Sequence, residues 1–205
     1  MDSIHKLTKM FSEFPGIGPR QAKRFVYFLL SRNTAFIDEF LTLAKELKKE
    51  IKICQECFRY FPKDSHNSNL CDICRSPNRN NEVLMIVSRD VDFENIEKSH
   101  SFDGKYFILG GTVPILDKEP GKRIRLNDLL KAIESKLTKG LKEVILGLNA
   151  NPDGEYTGHF IIEALSPFVI KNNLKISHLG RGLSTGTELE YSDADTIKSA
   201  LENRK

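Results

Sequence analysis

The chain has 205 residues, 40% hydrophobic and 29% charged, enough for one large domain or two small ones with a well-solvated surface. Its formal net charge is only +3, so any affinity for nucleic acid has to come from local clusters rather than a global field. No apolar run approaches the roughly 18 residues of a membrane span, and the N-terminus lacks a signal-peptide core, so a cytoplasmic protein is expected.

The chain opens on two predicted amphipathic helices. Ile4, Leu7 and Phe11 share a face of the first; Ala22, Phe25, Val26, Leu29 and Leu30 share a face of the second. Between them runs Phe14-Pro15-Gly16-Ile17-Gly18-Pro19-Arg20. Pro15 and Pro19 are expected to halt one helix and pre-set the start of the next. Gly16 and Gly18 permit positive φ and leave no Cβ in the way of a ligand. The second helix then begins with unpaired N–H groups and a positive dipole end, a natural anion site, with Arg20, Lys23 and Arg24 on its first turns. The pattern resembles the helix-hairpin-helix motif, which implies DNA-backbone binding by Gly16, Ile17, Gly18, Arg20, Lys23 and Arg24. Such contacts fix position without reading bases. The plainer alternative is a Gly/Pro turn joining two packed helices. Lys45, Lys48 and Lys49 read as a solvated helix face.

All four cysteines lie in one segment, Cys54-Gln-Glu-Cys57 and Cys71-Asp-Ile-Cys74. Two such knuckles can point four thiolates at one tetrahedral Zn²⁺, which is expected to be structural because no coordination position stays open. The polar stretch between them, with Pro62, Asp64, Ser65, Asn67, Ser68 and Asn69, cannot bury a core unaided, and metal binding would supply the folding energy. Two disulfides or a redox dithiol are the competing readings. A reducing cytosol disfavours the first, and a matched pair of knuckles suits the second poorly. His66 reads as an exposed loop residue.

From Glu82 the texture changes. Short apolar runs at 83–87, 106–109 and 143–148, and a weaker one at 175–177, read as strands. Helical stretches fall between them at 92–99, 126–137 and 157–170, and a last helix is expected over 193–203. This alternation argues for a mostly parallel sheet with covering helices. Gly180-Arg181-Gly182 with Gly186 makes a poor dinucleotide fingerprint, since the third glycine is misplaced and no clear helix follows. A Gly-rich loop ahead of Glu188-Leu189-Glu190-Tyr191 is the better reading.

Hairpin, four-cysteine block and α/β half, in this order and at this length, resemble the bacterial recombination mediator family RecR over nearly the whole chain. The hairpin run and the cysteine block match the family's, and Tyr106 to Gly111 is similar to its Toprim segment. Glu143 to Leu146 followed by Asn149, Gly154, Glu155 and Thr157 is similar to its next strand and loop. Arg181-Gly182-Leu183 and Leu189-Glu190-Tyr191 are similar to its C-terminal signature. The resemblance implies an α+β multi-domain chain: a helix-hairpin-helix region over 1–52, a four-cysteine zinc finger over 53–79, a Toprim-like α/β domain over 80–178, and a C-terminal segment and helix over 179–205. It also implies a ring-forming homo-oligomer on single- and double-stranded DNA, the partners RecO and RecF, and the loading of RecA onto gapped DNA coated by single-strand-binding protein.

Toprim enzymes hold Mg²⁺ on one acidic group after the first strand and an acidic pair after a later one. Here Ser88 stands where the RecR pattern usually has Glu, and a hydroxyl does not replace a carboxylate as a hard-metal ligand. Asp153 and Glu155 remain, as weak Mg²⁺ ligands or partner contacts. Asp90 and Asp92 lie close enough in sequence to compensate, although Asp90 reads better as an ordinary loop acid. The segment 112–121 lacks the family's Gly-Ile-Gly-Pro. His5, His100, His159 and His178 have no nucleophile or acid at telling spacing, and no serine sits in a nucleophile elbow. A non-enzymatic DNA-binding scaffold is therefore expected. The alternative is a small metal-dependent Toprim nuclease or primase-like enzyme. A redox protein needs a reactive thiol pair, which a closed four-cysteine site does not offer.

Overall fold

A computed structural model describes residues 2–63, 68–186 and 188–204, so His66 and most of the polar stretch beside it lie outside the described residues. The chain divides into two compact units, Met1–Lys52 and Ile53–Lys205.

The first unit contains α1 (Ser3–Phe11), α2 (Pro19–Leu30) and α3 (Thr34–Glu50). Asp2 caps α1 by accepting from the His5 amide at 2.8 Å, and Asn33 caps α3 by accepting from Phe36 at 2.9 Å. The ring of Phe11 meets those of Phe25 and Phe14 edge-on, at 5.7 and 5.6 Å between centroids, which closes α1 on α2. Among the described residues of the three helices only Ala22 and Val26 are fully buried, both on α2. The first helix ends at Phe11, well before Pro15. Ser12 is its C-cap, with its hydroxyl donating to the Thr8 carbonyl at 2.8 Å, so Pro15 shapes the turn instead of stopping the helix.

The second unit begins with β1 (Ile51–Ile53), within which the boundary falls, and β2 (Tyr60–Pro62), which form a two-stranded sheet; α4 (Asp72–Arg75) follows. Then come β3 (Asn80–Val87), α5 (Asp90–Lys98), β4 (Gly104–Ile108), α6 (Pro120–Arg123), α7 (Leu126–Leu137), β5 (Glu143–Gly147), α8 (Pro152–Asn172), β6 (Lys175–His178), a 3-10 turn at Leu189–Tyr191, and α9 (Ala194–Glu202). The main sheet has the order β4-β3-β5-β6, and every pairing in it is parallel. Because successive side chains leave a strand on opposite faces, the sheet sorts its apolar residues into two layers. Leu84, Ile86, Phe107, Val144 and Leu146 pack with Leu129 and Ile133 of α7 and Ile161 and Leu165 of α8. On the other face Met85, Val87, Tyr106 and Ile108 pack with Phe93 of α5 and with Cys54, Cys57, Phe61, Cys71 and Ile73. Residues 53–79, 80–178 and 179–205 thus fall within one compact unit, with the cysteine module covering one face of the sheet.

The helix expected from Thr157 starts instead at Pro152. Asn151 caps it, accepting from the Gly154 amide at 2.8 Å, and Pro152 takes the first position. It continues past Pro167 and stops where Asn173 turns left-handed at φ +53°.

Candidate nucleic-acid interface and metal site

In the hairpin, Phe14 accepts from the Ile17 amide at 3.0 Å and Gly16 stands at φ +76°, which makes a type II turn with Pro15 and Gly16 at its centre. Gly18 is different: its φ is −79°, so only Gly16 uses the positive φ that both glycines permit. Gly18 contributes space. A Cβ on Gly16 or Gly18 would meet nothing within 4 Å, so the tip is open to a ligand. Gly18 is the N-cap of α2 and Pro19 its first residue, and no side chain caps the helix. The amides of Arg20 and Gln21 therefore have no intrahelical partner. Arg20, Lys23 and Arg24 are all exposed. Arg24 is steadied by donating to Gln21 at 3.3 Å, and the Lys23 ammonium lies 5.9 Å from the centre of the Tyr27 ring. Ile17 is half-buried and its amide is engaged inside the turn, so it anchors the tip and any contact it makes comes from its side chain.

The four cysteine sulphurs all lie within 4.8 Å of one another, and those of Cys57 and Cys71 are 3.6 Å apart. A tetrahedral ion with bonds of about 2.3 Å places its thiolates at about 3.8 Å, so the donor set fits a four-coordinate metal ion. Cys54, Cys57 and Cys71 are buried. Hydrogen bonding from the Cys57 thiol holds Cys54 well below the ordinary thiol range, while the same contact pushes Cys57 well above it. The first knuckle turns through Phe58, left-handed at φ +62° and held there by its ring against Phe107 at 5.3 Å. Its Cys57 carbonyl accepts from the Ile108 amide of β4 at 2.8 Å. The second knuckle is α4, with Cys71 as its N-cap.

At the Toprim-like end, Ser88 follows β3 and is 1% exposed, and its hydroxyl has no hydrogen-bond partner among the described residues. The neighbouring acids are occupied elsewhere. Asp90 is the first residue of α5 and not a loop acid; its carboxylate accepts from the Tyr60 amide of β2 at 2.8 Å. Asp92 accepts from the Arg89 amide at 3.0 Å and so caps the same helix. Asp153 and Glu155 both stand in the first turn of α8, where Glu155 pairs with Arg181 at 2.7 Å. That pair borders an open cleft of about 580 Å³ formed with Gly158, His159 and residues of α9. Among the described residues the four cysteines are the only group of three or more ligating side chains close enough to share an ion; Asp153 and Glu155 gain no third acid. His5, His100, His159 and His178 are exposed.

Three residues take structural roles that the sequence does not disclose. Gly154 has no room for a side chain: a Cβ there would stand 2.0 Å from the Asn149 carbonyl oxygen. Thr157, fully buried, accepts from the Val113 amide at 2.8 Å and donates to the Asp153 carbonyl at 2.6 Å, tying the loop after β4 to α8. Lys105 lies on β4 with its side chain buried against the second knuckle. A lysine inside the run Gly-Lys-Tyr-Phe-Ile-Leu is the available signal for that last one.

The sequence matches the Toprim domain family over residues 82–180 and the family described as RecR, C-terminal, over residues 182–205. It is 34% identical over 204 residues to Recombination protein RecR of Legionella pneumophila (strain Corby), covering 100% of this chain and 98% of the relative. It is 32% identical over 205 residues to Recombination protein RecR of Gloeothece citriformis (strain PCC 7424), covering 98% and 95%. For the protein of the same name from Prochlorococcus marinus (strain AS9601) the figures are 31% over 201 residues, 98% and 94%. With relatives of this identity spanning hairpin, cysteine module, Toprim domain and C-terminal segment alike, the chain belongs to the RecR family of recombination proteins.

Proposed function

We propose that this chain is a non-enzymatic DNA-binding scaffold of recombinational repair, which grips the sugar-phosphate backbone through the hairpin tip. The supporting observation is the open, uncapped start of α2, where exposed amides and three exposed cations face solvent together. Amides and cations so placed can hold phosphate oxygens on single or double strands and carry no base readout. Replacing both Arg20 and Arg24 by alanine should weaken binding evenly across unrelated sequences and flatten the salt dependence by about two units of slope. Fluorescence anisotropy over a salt series measures both, and wild-type affinity at low salt in the double variant would end the proposal.

The cysteine cluster is assigned one structural Zn²⁺, held by Cys54, Cys57, Cys71 and Cys74. Four thiolate ligands suit zinc and leave no position for substrate. Family membership further implies RecO and RecF as partners, the loading of RecA as the outcome, and a cytoplasmic setting; no helix among the described residues is long and apolar enough to cross a membrane. The same resemblance implies a ring of several copies, and the exposed apolar face of α3 is the surface that favours self-association.

A Toprim nuclease or primase needs a complete acidic site. Ser88 supplies no carboxylate, Asp90 and Asp92 cap and brace α5, and Asp153 and Glu155 stand without a third acid. Incubation of the purified chain with Mg²⁺ or Mn²⁺ and gapped DNA should give neither cleavage nor synthesis. Turnover that disappears in Asp153→Ala would establish the enzyme instead.

A further inference from the structure

We infer that Lys105 is the buried counter-charge of the metal centre and the clamp that seats its second knuckle on the sheet; this rests on the assignment of a metal to the four cysteines. Lys105 belongs to β4, an edge strand of which every residue is buried, and it is itself 4% exposed. Its ammonium group donates to the carbonyls of Ile73 at 2.7 Å, Cys74 at 3.1 Å and Ser76 at 2.9 Å, which uses all of its hydrogens. Those carbonyls close the C-terminal end of α4, where a helix has acceptors without partners and a negative dipole end. The helix so capped has the ligand Cys71 as its N-cap and contains the ligand Cys74.

What the ammonium lacks is an ionic partner. Among the described residues no carboxylate pairs with it, and the acid lining the same groove, Glu56, is engaged with Lys136 at 3.5 Å. A buried ammonium bonded only to neutral carbonyls is costly. A divalent ion in four thiolates carries two net negative charges, and two of those thiolates sit on the helix that Lys105 holds. The charge missing from the protein side is supplied by the metal centre. Outer groups that orient ligands and balance their charge tune metal affinity as the ligands do.

The experiment is zinc affinity of the full, reduced chain, read by competition with a chromophoric chelator. It is joined by the thiolate-to-cobalt charge-transfer band of the Co²⁺-substituted protein. Lys105→Met keeps length and loses charge and donors; it should bind Zn²⁺ about 10–100-fold more weakly and shift the cobalt band. Lys105→Arg, which keeps the charge, should recover most of the affinity. Where the Met variant does not fold, Lys105→Gln replaces it, retaining a donor without the charge. Wild-type zinc affinity in the Met or Gln variant would overturn this inference alone. A wild-type chain that takes up no zinc would overturn the metal assignment and this inference with it.

Discussion

Replacing Leu43 and Leu47 of α3 by glutamate should yield monomers that bind DNA at least about a hundredfold more weakly than the wild-type assembly. The reason is the face of α3. Phe36, Phe40, Leu43 and Leu47 recur at the spacing of one helical stripe, all are exposed, and no residue of the helix's 17 is buried. A stripe of this kind is stable in water only when something covers it, and a second copy is the occupant that the proposed ring supplies. Two buried carboxylates in that contact would cost more than the apolar area they replace contributes. Neither residue belongs to the hairpin tip, so a single site on one chain should keep its intrinsic affinity. What disappears is the effective concentration that several linked tips give one another on the same strand. Sedimentation velocity and anisotropy on one preparation test both halves: a monomer that holds DNA as tightly as wild type, or an undiminished assembly, would refute it.

The parts most legible in the sequence are those with a short-range physical code. Pro15-Gly16 at the centre of a turn, Pro19 opening a helix, paired Cys-x-x-Cys knuckles and the apolar runs of a parallel sheet each specify their local structure through neighbouring residues. What escapes depends on partners far along the chain. Asp90 reads as a spare acid until its carboxylate is seen to accept from Tyr60, 30 residues earlier. Lys105 draws no attention in the sequence, because the three carbonyls that surround it lie 29 to 32 residues away. Gly18 suggests positive φ because glycine allows it, whereas the N-cap position asks for extended backbone and uses glycine for its missing side chain. The start of α8 is hidden because Pro152 followed by Gly154 looks like a loop, and only the cap from Asn151 turns it into a helix.

Removing the proposed metal should be the second large effect, and it should be felt in the sheet before the knuckles. Three of the four cysteines are part of the core: Cys54, Cys57 and Cys71 pack in one cluster with Phe61, Ile73, Met85, Val87, Phe93, Tyr106 and Ile108, and Cys74 packs against it. The module also covers the edge of β4, where Ile108 donates to the Cys57 carbonyl at 2.8 Å. An ion present at about a thousand times its Kd contributes about 4 kcal/mol, and for a chain of this length each kcal/mol moves the midpoint by about 2–4 °C. Chelation, or Cys71→Ser with Cys74→Ser, should therefore lower the thermal midpoint by about 8–16 °C. The uncovered edge of β4 then offers unpaired backbone groups to other chains, the arrangement that leads to strand-to-strand aggregation. Hydrogen exchange at the Ile108 amide should rise on chelation, ahead of Leu84 and Ile86 in the central strand, and light scattering should follow. If the metal only braced a peripheral loop, the midpoint would hold and exchange at Ile108 would stay at its metal-bound rate, which would remove the cysteine module from the account of how this sheet is stabilised.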